Sequence, residues 1–359
     1  MDFQRSSAAD PFQLKNPLGE SHEGFPNVFH SKYFKHWRAG LPHFVEVSKD
    51  APLPTIFAVG GGKGGVGKSV ISSNLSAKLA RSGKRVLVID LDLGGSNLHT
   101  YFGKRVHSPS LTDFLADSSL SFQSIMSETS VNGLSLITTG QMQGLSALAK
   151  QSDYERLWQG IMGAKALYGY DAVVLDLGAG TASHTVDFFL AAHVGIVTVL
   201  AEPTSIENAY TFLKAVLWKL IENAGVLVGN EQAACEILRR LVANESKGAK
   251  LGYYKKLLAS KDEFGTLVNC ILGAIMGRKI GFTVNQIRSQ KDIEIATSMA
   301  GICRDYFGWK TVPLGFLNYD EAAWKSLRSK RLLVEVFPHS LLSKRLDVFL
   351  SELLRSIAK

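Results

Sequence analysis

The chain has 359 residues, of which 46% are hydrophobic and 20% are charged, and its formal net charge is +8. This length suits one large α/β domain with extensions better than two independent domains. The three cysteines, Cys235, Cys270 and Cys303, lie far apart and form no C-x-x-C pair, which argues against a disulfide framework or a cysteine metal site and favours a reducing cytoplasm. The sequence has no apolar run of bilayer length and no signal-peptide pattern, while its positive charge permits attraction to anionic lipid or nucleic acid.

Residues 1–54 are predicted to form an N-terminal extension to the main domain. The stretch 29–45, FHSKYFKHWRAGLPHFV, interleaves aromatic and basic side chains. Two interpretations stay open for it. It packs onto the main domain, or it contacts a partner protein, a membrane or nucleic acid.

The stretch Gly60–Ser69, GGGKGGVGKS, predicts a phosphate-binding loop. Gly62, Gly67 and Lys68, followed by the hydroxyl of Ser69, fit the pattern G-x-x-x-x-G-K-[ST]. In this pattern backbone N–H groups and the lysine hold phosphates, and the hydroxyl contacts magnesium.

The sequence around this loop supports the same prediction. An apolar strand pattern precedes it at 55–59, and apolar residues at helical spacing follow it at 70–81. The N-terminus of that helix adds free N–H groups and partial positive charge where the phosphates would lie. The residues predicted to contact the nucleotide here are Gly62, Gly64, Gly65, Val66, Gly67, Lys68, Ser69 and Val70.

Two later strands are predicted to end in carboxylates. The run RVLVID ends at Asp90 and is followed closely by Asp92, and the run YDAVVLD ends at Asp176. The carboxyl ends of strands form the edge at which open α/β sheets bind ligands. Magnesium prefers oxygen ligands, partly through water, so we predict a magnesium site formed by Ser69, Asp90 and Asp176.

Three strings resemble the MinD/ParA family of SIMIBI-class ATPases, which includes FlhG and the nitrogenase iron protein. Residues 62–69, GKGGVGKS, resemble its deviant Walker A loop because of the additional Lys63. The pattern D-x-D-x-x-x-x-N at 90–97 resembles the switch I of MinD and FlhG, and DLGAGT at 176–181 resembles the switch II of FlhG-like members. The resemblance extends over about residues 55–359.

The resemblance implies a fold, two cofactors and several roles. The fold would be an open, mostly parallel twisted sheet with helices on both faces, and the cofactors would be ATP and Mg²⁺. Lys63 would reach the partner's nucleotide in an ATP-dependent homodimer, Lys68 would hold phosphate and Asp92 would position the attacking water. Asn285, at the end of a strand predicted at 279–285, would contact adenine, with turn capping as its alternative role.

The remainder of the main domain, 55–359, is predicted to contain three further features. A basic helical insertion covers about 221–265 and is either a solvated surface or a binding site for DNA or lipid. A final short strand is expected at 311–314, followed by a loop at 315–320 near the adenine. The C-terminal amphipathic helix, about 339–359, either packs onto its own domain or contacts a membrane, as in MinD-like proteins.

The leading functional prediction is an FlhG-like switch ATPase that controls the placement or number of a flagellum or of the division machinery. It would act in the cytoplasm or at the inner face of the membrane, with an FlhF-like GTPase or another protein as a possible partner. A ParA-like DNA partition ATPase and, less favoured, an ATP-dependent metabolic ligase are the alternatives. Val70 departs from the family at a position where many members carry a hydroxyl. The lack of paired cysteines disfavours an iron–sulfur reductase.

Overall fold

The computed structural model describes five parts of the chain: residues 52–140, 151–245, 265–276, 279–307 and 309–358. Two of the predicted features lie outside these residues. They are almost all of the N-terminal extension, including 29–45, and the basic cluster 247–261 of the insertion.

An eight-stranded sheet forms the centre of the described residues. Its strands are β1 Thr55–Gly60, β2 Val86–Leu91, β3 Met126–Glu128, β4 Leu134–Ile137, β5 Ala172–Leu177, β6 Val194–Leu200, β7 Lys279–Ile287 and β8 Lys310–Asn318. They lie in the order β3-β4-β2-β5-β1-β6-β7-β8, and among them only β3 pairs antiparallel to its neighbour.

Helices connect most of these strands. They are α1 Lys68–Arg81, α2 Leu98–Tyr101, α3 Leu111–Ala116, α4 Gln151–Met162, α5 Ala164–Tyr168, α6 Ser183–Ala191, α7 Pro203–Val228, α8 Glu231–Glu245, α9 Gly265–Met276, α10 Gln290–Phe307, α11 Glu321–Arg328, α12 Leu333–Val336 and α13 Leu341–Ala358. A short 3₁₀ turn lies at Gln123–Ile125.

The sheet separates two hydrophobic cores, as its sequence requires. In β5 the side chains of Val173 and Leu175 join one core while Val174 joins the other, because successive residues of a strand point to opposite faces. Helices α4, α6, α7, α9 and α10 cover the first core, and α1, α11, α12 and α13 cover the second. Central parallel strands are therefore apolar on both faces. The mostly parallel sheet with helices on both sides confirms the predicted fold class.

The strand register brings the functional segments to one edge. Val59, near the end of β1, and Asp90, near the end of β2, both pair with Asp176 of β5. On the other side of β1, Leu200 of β6 pairs with Asn285 of β7. The segments that follow β1, β2 and β5 therefore leave the sheet side by side.

The last two strands differ from the prediction. Strand β7 continues two residues past Asn285, and β8 occupies most of the stretch 315–320 that was predicted as a loop. Gly315 has a positive φ of 79°, and the pairing of β8 with β7 shifts register there. This irregularity interrupts the sequence pattern without ending the strand, which is why the prediction of 311–314 was too short.

The helical region also departs from the predicted boundary. Helix α7 is continuous from Pro203 to Val228, so no break occurs at residue 221, where the insertion was expected to begin. Helices α8 and α9 follow, and α7 contacts both of them. The extent of the insertion as a separate unit stays a prediction.

The C-terminal helix α13 packs onto its own domain. The apolar residues Leu346, Phe349 and Leu353 are at most 1% exposed and join the core that α1 and β8 also form. Of the two interpretations offered for this helix, the packed one is confirmed. No helix in the described ranges is both long enough and apolar enough to span a membrane.

The packing of α13 predicts that substitutions at two adjacent positions have different effects on the free energy of unfolding. Phe349→Ala removes a buried ring and should lower the free energy of unfolding by about 3–5 kcal/mol. Val348→Ala is the matched control, because Val348 is 51% exposed and should change it by less than about 0.5 kcal/mol. Urea denaturation followed by circular dichroism measures both values. Equal effects would contradict the packing of this helix.

Candidate active site

The loop between β1 and α1 is held tightly from two sides. A β-carbon added at Gly62 would lie 1.9 Å from the backbone oxygen of Asn208 in α7. A β-carbon added at Gly67, whose φ is +96°, would lie 2.1 Å from the amide nitrogen of Asn285. Glycine is required at Gly62 because a neighbouring backbone atom leaves no room for a side chain. At Gly67 it is required both for this reason and because the positive φ disfavours other residues.

The middle of the same loop is open. A β-carbon added at Gly64 or Gly65 would meet no atom within 4 Å. Helix α1 begins directly after the loop, and its N-terminus has no side-chain cap. The first N–H groups of an uncapped helix lack partners, and together with the helix dipole they favour an anion. The loop therefore has the room and the donors that a phosphate group needs.

Lys68 is buried at the start of α1. It is 6% exposed, and its Nζ donates to the backbone oxygen of Lys63 at 3.4 Å. Burial lowers the pKa of the Lys68 amine, while the negative charges of Asp176 and Asp92 act in the opposite direction. The two carboxylates thus stabilise the charged form of the Lys68 amine, although the amine is almost inaccessible to water.

Asp176 lies at the end of β5 with one oxygen unpaired. The hydroxyl of Ser72 donates to its Oδ1 at 2.8 Å, whereas Oδ2 is buried and has no hydrogen-bond partner among the described residues. Burial raises the pKa of this carboxyl group, and the nearby hydroxyl of Ser69, the hydrogen bond from Ser72 and the charge of Lys68 limit the rise. A buried, unpaired carboxylate oxygen is costly unless a further group binds it, and an oxygen-preferring cation suits this position.

Asp90 is directed toward its own loop. Its Oδ1 accepts from the N–H of Asp92 at 3.1 Å, and its Oδ2 accepts from the Ser96 hydroxyl at 2.7 Å and from the N–H of Leu98 at 3.2 Å. Burial and the neighbouring Asp176 raise the pKa of Asp90, and these hydrogen bonds oppose the rise. Asp90 therefore fixes the loop between β2 and α2, and its contact with magnesium stays a prediction.

Asp92 lies where this loop meets the loop that follows β5. Its Oδ1 accepts from the N–H groups of Gly94 at 3.3 Å and Gly95 at 3.0 Å. A β-carbon added at Gly178 would lie 3.3 Å from the same oxygen. The loops that follow β2 and β5 are therefore adjacent. The N–H of Gly180 also donates to the backbone oxygen of Gly61 at 3.4 Å, which brings the loop after β1 next to them.

Lys63 extends from the open part of the loop to the start of α7. Its Nζ lies 3.3 Å from Oε2 of Glu202 and donates to the hydroxyl of Thr204 at 3.2 Å. The Lys63 side chain is 39% exposed and that of Glu202 is 55% exposed. The Lys63 amine therefore has two partners within its own chain, and these contacts lie at the solvent-exposed surface.

Asn285 supports the loop from the opposite side. Its Nδ2 donates to the backbone oxygen of Val66 at 2.9 Å, and its Oδ1 accepts from the N–H of Gln286 at 2.9 Å. The second bond lies at a residue with a positive φ of 59° and agrees with the turn-capping alternative. An amide has further donor and acceptor capacity, so adenine contact by Asn285 stays a prediction.

The sequence interpretation missed three residues of this site. Ser72 donates to Asp176, Ser96 donates to Asp90, and the backbone of Asn208 restricts Gly62. A signal for Ser72 was present, because it follows Lys68 by four residues on α1 and therefore lies on the same face of that helix. For Asn208 no such signal exists, since its contact depends on the packing of α7.

Comparison with known proteins shows the family to which this chain belongs. The family model described as the CobQ/CobB/MinD/ParA nucleotide binding domain matches residues 57–333. The match covers most of the chain and includes each of the three loops. The chain belongs to this family of nucleotide-binding proteins.

Two relatives match part of this chain. The flagellum site-determining protein YlxH of Helicobacter pylori is 35% identical over 157 residues, which cover 44% of this chain and 52% of YlxH. The antiactivator FleN of Pseudomonas aeruginosa is 31% identical over 169 residues, covering 44% of this chain and 55% of FleN. The matched stretch thus spans about half the length of each relative.

A solved structure supports the fold. The septum site-determining protein MinD of Pyrococcus horikoshii, complexed with Mg-ADP, superposes with a TM-score of 0.55 at 19% identity. The superposition covers 86% of this chain and 99% of the MinD chain.

The constraint on the loop predicts different effects for two glycines that are two residues apart. Gly62→Ala places a methyl group against the Asn208 carbonyl, so α7 or the loop must move and the melting temperature should fall by several degrees. Gly64→Ala should leave the melting temperature within about one degree, because the added methyl group enters open space. Thermal unfolding without nucleotide measures both variants. A fall for Gly64→Ala alone would show that the loop is placed wrongly.

Proposed function

We propose that this protein is an ATP-dependent molecular switch that dimerises when it binds ATP and separates after hydrolysis. The observation that carries the proposal is the meeting of three loops around the buried Lys68, next to an unpaired oxygen of Asp176. An open loop rich in N–H donors, a buried cation and a buried unpaired carboxylate together suit a magnesium nucleotide.

Different residues of the site would bind different parts of the nucleotide. The backbone N–H groups from Gly64 to Val70 and the amine of Lys68 would hold the phosphates. Ser69 and Asp176 would hold magnesium, partly through water, and Asn285 would contact the base. Magnesium, when bound, neutralises negative charge on the phosphate oxygens.

Asp92 is the residue that we assign to hydrolysis. The N–H groups of Gly94 and Gly95 fix its Oδ1, whereas its Oδ2 forms no hydrogen bond with a described residue. A carboxylate held by one oxygen keeps the other available to orient a water molecule and to accept its proton. The proximity of Asp92 to Gly178 also places it beside the second loop that would respond to the terminal phosphate.

Lys63 is the residue that we assign to the dimer. In the single chain its amine pairs with Glu202, but both side chains are exposed to solvent. Pairs of this kind contribute about 0–1 kcal/mol, so this contact is easily exchanged for one with a charged phosphate of a partner subunit. The resting position of Lys63 is therefore compatible with a role across a dimer interface.

The cellular role is proposed from the relatives. One of them is named a flagellum site-determining protein, so we propose that this switch controls the placement or number of a flagellum. A protein partner, such as an FlhF-like GTPase, would receive the signal. The chain would act in the cytoplasm or at the inner face of the membrane.

Substituting the two lysines of the loop should separate binding from dimerisation. Lys68→Ala removes the buried amine and should weaken ATP binding at least about a hundredfold, equivalent to about 2.7 kcal/mol. Lys63→Ala is the matched control in the same loop and should bind ATP almost as the parent does while remaining monomeric. Isothermal titration calorimetry gives the affinities. An unchanged ATP affinity in Lys68→Ala would refute the proposed site.

Substituting Asp92 should separate binding from hydrolysis. Asp92→Ala should bind ATP, hydrolyse it at least about a hundredfold more slowly and accumulate as a dimer, since the water loses its orienting group. Size-exclusion chromatography with ATP and a phosphate-release assay measure the two effects. In the double variant Lys63→Ala/Asp92→Ala the dimer should disappear. Hydrolysis at the parental rate would remove Asp92 from this role.

A further inference from the structure

A group of exposed cations lies where two chain segments meet, on the side of the sheet that α1, α11, α12 and α13 cover. One segment follows α2, and the other forms the end of α11 and the turn after it. We call this group the basic patch, and its members are Lys104, Arg105, Arg328, Lys330 and Arg331.

The two segments are in direct contact. A β-carbon added at Gly103 would lie 2.8 Å from the backbone oxygen of Lys330, and helices α2 and α11 contact each other. Residues that are more than 220 positions apart in the sequence therefore contribute charge to one surface, which explains why the basic patch is not evident from the sequence.

No acidic side chain of the described residues balances the basic patch. None of its five members forms an ion pair within that part of the chain. The two nearest acids in the sequence have other partners. Glu321 pairs with Lys325 at 3.1 Å, and Glu335 pairs with Arg81 at 3.9 Å. The patch therefore presents uncompensated positive charge to solvent.

Exposed apolar side chains accompany these cations. Trp324 is 57% exposed, and the guanidinium of Arg328 lies 4.7 Å from the centre of its ring. Val106, which directly follows Arg105, is 39% exposed. Cations next to an exposed tryptophan and an exposed aliphatic side chain form an amphipathic surface.

We propose that the basic patch binds the surface of an anionic lipid bilayer. Lipid headgroups match its charge, and tryptophan favours the boundary between headgroups and acyl chains. Duplex DNA would also match the charge, but its phosphate backbone offers no apolar contact to Trp324 or Val106. The apolar face of α13, the helix for which a membrane contact was considered, is buried and cannot supply this binding.

The proposal is independent of the nucleotide site. None of the five cations belongs to the loops around Lys68, so lipid binding and ATP binding can be lost separately. The full chain should sediment with vesicles of phosphatidylglycerol and phosphatidylcholine, and not with vesicles of phosphatidylcholine alone. Raising the salt concentration should release it, because surface charges are screened.

The test compares two double charge reversals with the same net charge. Arg328→Glu/Arg331→Glu should reduce binding to phosphatidylglycerol vesicles at least about tenfold. The control Arg239→Glu/Lys291→Glu changes exposed cations on α8 and α10 and should bind within about twofold of the parent. Calorimetric ATP titration checks that all variants keep a folded nucleotide site.

A third variant separates lipid from nucleic acid. Trp324→Ser should weaken vesicle binding about threefold or more and leave the retention of duplex DNA unchanged, since only the bilayer contacts the ring. The proposal is overturned if the parent does not bind phosphatidylglycerol vesicles, or if both double variants bind them equally. It is also overturned if Arg328→Glu/Arg331→Glu loses DNA retention while vesicle binding persists.

Discussion

The buried amine of Lys68 and the carboxylates around it constrain the whole site. A lysine that is 6% exposed is charged only if negative groups compensate for the lost water, and Asp176 and Asp92 supply that charge. Lys68 follows β1, Asp92 follows β2 and Asp176 lies near the end of β5, so the register of these strands has to be correct before the charges can meet. The glycines of the loop and the hydrogen bond from Ser72 to Asp176 serve the same requirement.

Much of this arrangement is visible in the sequence because it is local. The glycine pattern, the apolar strands and the acids at their ends lie within short windows, and parallel strands bring their carboxyl ends to one edge. The contact of Asn285 with Val66 joins residues 219 positions apart and depends on the packing of β7. The direction of Asp90 toward its own loop was also not predictable, because it is set by the N–H groups of Asp92 and Leu98.

The amphipathic pattern of α13 shows a different limit of sequence interpretation. An apolar stripe requires an apolar neighbour, but it does not specify whether a membrane or the same domain provides it. Here α1 and β8 provide that neighbour and cover Phe349. The basic patch has the opposite character, since its charges are scattered in the sequence and are brought together only by the contact of Gly103 with Lys330.

The irregularity of β8 bears on how two chains can associate. This strand is the last in the order of the described sheet, and an open edge strand is a template for pairing with another chain. Pro313 has no N–H to donate, and the positive φ of Gly315 shifts the register nearby. A proline and an irregular backbone would hinder the regular addition of a further strand at this edge. The dimer that we propose would therefore form through surfaces other than the edge of β8.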